Sequence, residues 1–92
     1  MQETYGVAAF RSRQQVLRFE QVLRQASIPV KVVSTPRDIS MGCGLSVRFP
    51  IEDAQKVHRI LKMHDTGNLI GVYRAEYNGA GLRVSPIRYD GR

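Results

Sequence analysis

The residue best suited to chemistry is Cys43, the single cysteine of a 92-residue chain. It lies between Gly42 and Gly44. A reactive cysteine needs solvent access and a stabilised thiolate. The flanking glycines remove side-chain shielding and permit backbone shapes in which successive N–H groups face an anion. Arg37 and Arg48 are close enough in sequence to stabilise a thiolate, so this stretch predicts an accessible nucleophilic sulfur.

The same stretch also supports a structural interpretation of the cysteine. Cys43 has the same parity as Leu45, Val47 and Phe49, which alternate with polar residues as in a half-buried strand. If the strand already includes position 43, the sulfur points into the core, where a thiol is inert. The functional interpretation requires the strand to begin only at Gly44 or Leu45. From the pattern alone, both interpretations stay open.

No other catalytic or metal-binding motif is visible in the sequence. No cysteine and histidine residues are paired at zinc-site spacing, and His58 and His64 are six positions apart on one predicted helix. We therefore predict no metal and no cofactor. Whether the protein is an enzyme is uncertain, and a carrier or binding domain is favoured over a stand-alone enzyme.

The composition describes one small basic domain. The formal net charge is +6 at pH 7, and arginine outnumbers lysine by eleven to three. This balance predicts an anionic partner. Nucleic acid is an unlikely one, because the charges are scattered and the glycine-rich segment 41–45 lacks the stacking aromatics of an RNA recognition motif. With no membrane-length apolar run, no leader and one cysteine, we expect a cytoplasmic protein with a reduced thiol.

The pattern of hydrophobic residues predicts the element order βαββαβ. Ser12 and Gln15 are spaced as a capping box before an amphipathic helix. Pro50 suits the first position of a second helix, and Gly67 suits the residue after its end. The predicted fold is α+β and ferredoxin-like: a four-stranded antiparallel sheet with both helices on one face. The other face would be open to water, to a ligand or to a second copy in a homodimer.

The C-terminal part of the chain is predicted less sharply. Asn78-Gly79 is a hairpin signal. The residues after it form either an extra edge strand or a flexible tail. We therefore divide the chain into a domain at 1–74 and a C-terminal extension at 75–92.

The segment from about position 5 to 74 resembles a family of small domains, DUF3343, known as selenium/sulfur carrier protein-like. Four features carry the resemblance. They are the opening strand with Phe10-Arg11-Ser12, the run Ile28-Pro29-Val30-Lys31, the element Thr35-Pro36-Arg37, and Cys43-Gly44 leading into Val47-Arg48-Phe49.

The resemblance implies a carrier. Cys43 would hold sulfur or selenium as a persulfide or selenopersulfide, received from a donor protein and passed to an acceptor protein. Gly42 and Gly44 would shape its loop, Arg37 and Arg48 would stabilise the thiolate, and Thr35 would donate a hydrogen bond.

Overall fold

The computed structural model describes residues 3–39, 43–64 and 68–87. They form five strands, two α-helices and one short 3₁₀ turn. In chain order these are β1 (Glu3–Phe10), α1 (Arg13–Gln25), β2 (Lys31–Ser34), β3 (Leu45–Pro50), the 3₁₀ turn (Ile51–Asp53), α2 (Ala54–Met63), β4 (Leu69–Asn78) and β5 (Gly81–Pro86).

All strand pairs are antiparallel, and the strand order is β2-β3-β1-β4-β5. The predicted α+β class with two helices is therefore confirmed. The first four strands have the element order expected of a ferredoxin-like arrangement. The sheet has five strands rather than four, because the hairpin at Asn78 adds β5 at the edge.

Both helices pack on the same face of the sheet. Val16, Phe19 and Leu23 of α1 share one buried cluster with Val57 and Leu61 of α2. The sheet contributes the alternate residues that face this side: Ala8, Phe10, Val47, Phe49 and Val72. Each helix therefore buries the apolar stripe that its 3.6-residue period predicts.

The other face of the sheet is covered at its centre instead of being open. Val7, Ala9 and Ala75 are at most 1% exposed there, in a second cluster that includes Ile39. Ile39 comes from segment 35–39, which follows β2 and folds back over this face. The expectation of an open face is therefore wrong for the centre of this face, because the apolar side chain of Ile39 covers it.

One predicted helix start differs from the structure, and the other lacks its predicted side-chain cap. Pro50 is the last residue of β3, with φ −62° and ψ 137°, and α2 begins only at Ala54 after the 3₁₀ turn. Pro50 pairs with Tyr5 of β1, which holds it in the sheet. Ser12 is the N-cap of α1 as predicted, but its side chain makes no capping hydrogen bond. The predicted helix-ending Gly67 lies outside the described residues.

The chain beyond position 74 continues the same sheet. β4 runs on to Asn78, and Asn78 pairs with Gly81 across the predicted hairpin. The backbone N–H of Ile87 donates to the carbonyl of Val72, 2.8 Å away. Residues 75–87 therefore belong to the sheet and its edge.

Among the described residues, neither helix has the length and apolar character that a membrane span needs.

Candidate thiol site at one end of the sheet

Cys43 lies where β1 ends and β3 is about to begin. Its backbone N–H donates to the carbonyl of Phe10, the last residue of β1, at 3.3 Å. The strand itself starts two residues later, at Leu45. The condition that the functional interpretation requires, a strand that begins after the cysteine, is therefore met.

Gly44 and Thr35 hold the backbone next to the cysteine. Gly44 has φ +85°, a conformation that residues with a side chain rarely adopt. Its carbonyl accepts the backbone N–H of Thr35 at 2.9 Å. The Thr35 hydroxyl lies 2.7 Å from that of Ser46, which is fully buried. Thr35 thus ties the end of β2 to the start of β3, and its hydroxyl bonds to Ser46.

Cys43 is half-buried and packs at the margin of the helix-side core. Its S–H donates to the carbonyl of Leu45, with 3.6 Å between sulfur and oxygen. The thiol is thus neither sealed in the core nor fully exposed. A persulfide has no hydrogen on the inner sulfur, so the contact with Leu45 would be lost when Cys43 reacts.

The structure does not bring Arg48 to Cys43. Its guanidinium makes an ion pair with Glu3 at 2.8 Å and stacks over the ring of Tyr5, 3.8 Å from the ring centroid. Position 48 alternates with Val47 and Phe49, so it faces the side of the sheet opposite the helices. Arg37 is exposed in the turn before Ile39. Gly42 lies outside the described residues.

An aromatic contact that the sequence did not indicate supports this end of the sheet. The rings of Phe10 and Phe19 stack with centroids 5.1 Å apart. The imidazole of His64, the residue that follows α2, meets Phe19 edge-on with ring centroids 5.7 Å apart. These contacts join β1, α1 and α2 beside the Cys43 backbone. The sequence pattern predicts only the apolar stripe of each helix. Which rings contact one another is decided by the tertiary fold.

The two histidines show no sign of a metal site. Within residues 3–39, 43–64 and 68–87, no group of three or more His, Cys, Asp or Glu side chains is placed to hold an ion. Burial, and then the nearby positive charge of Lys62, lowers the pKa of His58. His58 therefore favours the neutral form, and His64 serves as an aromatic partner of Phe19.

The fold and the site define a small α+β domain that carries one half-buried cysteine at the end of a sheet. Residues 5–70 match the model of the family described as "Putative Se/S carrier protein-like". The chain belongs to this family. Neither the curated proteins nor the solved structures give a match.

Proposed function

We propose that the protein carries sulfane sulfur or selenium on Cys43. Two findings support the proposal: the family, and the placement of a half-buried thiol just outside a strand. The placement carries the argument, since a sulfur locked inside the strand could not meet a partner's reactive group. Gly44 and Thr35 act as positioning residues that hold the backbone on either side of the thiol.

The transfer is an exchange at sulfur that balances without an external oxidant. The Cys43 thiolate attacks the terminal sulfur of a donor protein's persulfide. A new S–S bond forms on Cys43, the donor's S–S bond breaks, and the donor leaves as a thiolate that takes up the proton. Overall, a thiol and a persulfide exchange one sulfur atom. The same step with a terminal selenium gives a selenopersulfide, and attack by an acceptor thiolate returns the cargo.

The direct test is intact-mass spectrometry of the reduced protein after incubation with a cysteine desulfurase and cysteine. We expect a gain of one sulfur mass that dithiothreitol removes, and no gain for Cys43→Ser. Iodoacetamide labelling of the folded and the urea-unfolded protein measures access to the sulfur. The proposal is refuted if no sulfur is gained and the thiol is alkylated only after unfolding.

A second candidate is an interaction module that forms a homodimer through the sheet face opposite the helices, where β4 and β5 leave it exposed. The observation that favours it is the cross-strand pair Tyr77–Leu82, whose side chains are 54% and 39% exposed. Sedimentation equilibrium tests it: a dimer that Leu82→Glu dissociates, together with an unreactive thiol, would favour this function over the carrier.

A further inference from the structure

The charged side chains of the described residues are unevenly distributed along the sheet. Cys43 defines one end, where β1 finishes, and we call it the thiol end. Exposed Arg11 follows β1 directly, and its backbone N–H donates to the carbonyl of Asn68 at 2.7 Å. Exposed Arg13 is the first residue of α1. Exposed Arg37 lies in the turn after β2. Thr35, which begins this turn, donates its backbone N–H to the carbonyl of Gly44.

Carboxylates are concentrated at the opposite end. Glu3 begins β1, Glu76 lies across from Thr4, and Glu52 and Asp53 follow the end of β3. In the described part of the chain, Asp38 is the one carboxylate placed at the thiol end. β1 therefore begins where carboxylates and cations lie together, and it ends where the described residues place three arginines and one carboxylate.

The ion pairs strengthen this asymmetry. Arg24, Arg48 and Arg74 are neutralised by Glu20, Glu3 and Glu76 respectively, away from the thiol end. By contrast, Arg11, Arg13 and Arg37 make no ion pair with any described residue. The first turn of α1 contains no acidic residue, and α2 carries Lys62 in its last turn at the same end. The positive end of the α1 dipole adds to this field.

We propose that the thiol end is a docking surface for an acidic protein surface, with Arg11, Arg13 and Arg37 as its contacts. The inference rests on the proposed function in one respect: the acidic surface is that of the donor or acceptor around its own reactive sulfur. Unpaired surface charges of one sign steer an oppositely charged partner and orient it on encounter. Such steering would bring the partner's sulfur to Cys43.

A protein fits this surface better than a nucleic acid does. Sequence-tolerant binding of single strands combines basic groups with exposed aromatic rings. The tyrosines of the described residues lie elsewhere: Tyr5 and Tyr77 are placed towards the opposite end, and Tyr73 pairs with Val7 in the middle of the sheet. Phe10, at the thiol end, is buried. The guanidinium of arginine binds a carboxylate as well as a phosphate, because it can pair with either group through two hydrogen bonds.

The test measures binding apart from sulfur chemistry. Fluorescence anisotropy would follow two labelled peptides, in which a central serine replaces cysteine and is flanked by either glutamates or glutamines. We expect the glutamate peptide to bind about tenfold more tightly at low salt, and the preference to vanish near 0.5 M NaCl.

Charge reversal locates the surface. The first variant combines Arg11→Glu, Arg13→Glu and Arg37→Glu. The matched control combines Lys31→Glu, Lys56→Glu and Arg83→Glu, three exposed cations. Lys31 begins β2, Lys56 lies in the first turn of α2, and Arg83 lies across from Glu76 in the β4–β5 register, all away from the thiol end. Each reversal removes two charge units, so both variants reach a formal net charge of zero from +6. Only the first variant should lose the preference for the glutamate peptide.

Three outcomes would overturn the inference. Equal binding of the two peptides to the natural protein at low salt would overturn it, and this result does not depend on whether a variant folds. An equal loss of preference in both variants would show a net-charge effect rather than a docking surface. Tighter binding of a single-stranded oligonucleotide of matched charge would assign the surface to nucleic acid. If peptide binding behaves as expected but Cys43 accepts no sulfur, the carrier function fails while the acidic docking surface stands.

Discussion

The conformation of Gly44 gives the sharpest test of the backbone that holds Cys43. A methyl group at Gly44 would meet no atom within 4 Å, so Gly44→Ala changes only the backbone energy. At φ +85° a side chain costs about 1–2 kcal/mol. Part of this cost is offset by the lower entropy of the unfolded alanine chain, about 0.4–1 kcal/mol. We expect a net loss of about 1 kcal/mol in the free energy of unfolding, which lowers Tm by about 4–8 °C.

Gly79→Ala is the matched control for this change. Its methyl group also has open space, and the φ of Gly79 is not positive. Urea and thermal unfolding should therefore show Gly79→Ala to be neutral or slightly stabilising. Gly44→Asn should lie between glycine and alanine, because asparagine tolerates positive φ. Equal stability of Gly44→Ala and Gly79→Ala would refute the assigned backbone.

The strain introduced by Gly44→Ala should also change how fast Cys43 reacts. If the strained segment opens locally, the strain is released, and 1 kcal/mol raises the population of the open form by about fivefold. Alkylation of Cys43 in the folded protein should accelerate by a similar factor. An unchanged rate, alongside the expected loss of stability, would show that the thiol reacts from the closed conformation.

Three further predictions concern the surroundings of the site. Arg48→Gln breaks the ion pair with exposed Glu3, so it should cost less than about 1 kcal/mol and leave thiol alkylation unchanged; faster or slower alkylation would contradict its placement. Thr35→Val removes the partner of the buried Ser46 hydroxyl and should cost about 1–3 kcal/mol in urea unfolding, and adding Ser46→Ala should recover part of it. Burial lowers the pKa of His58, so the unfolded state binds more protons than the folded state as the pH falls below 6.5. The free energy of unfolding should therefore decrease with falling pH, and this decrease should be less steep in His58→Gln.

Much of the fold could be predicted because its determinants are local. The helical stripe of α1 and the alternation of Leu45, Val47 and Phe49 each depend on a periodicity that the chain carries in itself. The start of α2 was missed because Pro50 satisfies both a helix start and a strand end. Its pairing with Tyr5, a residue 45 positions earlier, decides between the two. Such a contact has no local signal.

The role of Cys43 stays a prediction, and one of its predicted supports, Arg48, lies elsewhere in the structure. The Gly-Cys-Gly pattern located the thiol, and the positive φ of Gly44 explains why glycine follows it. The prediction placed Arg48 beside the thiol only because the two residues are close in sequence. A strand turns alternate residues to opposite faces, so position 48 belongs with Glu3 and Tyr5. The parity argument was available at the start, and it outweighs proximity along the chain.

The placement of Cys43 also bears on how a carrier could release its cargo. A fully exposed persulfide would lose its outer sulfur to any thiol, and a fully buried one could never transfer it. A sulfur at the margin of the core, with its backbone held by Phe10, lies between these limits. Access then depends on how a partner approaches this end of the sheet. An arginine-rich end that selects acidic surfaces would supply that control, since the thiol itself has no means of distinguishing one partner from another.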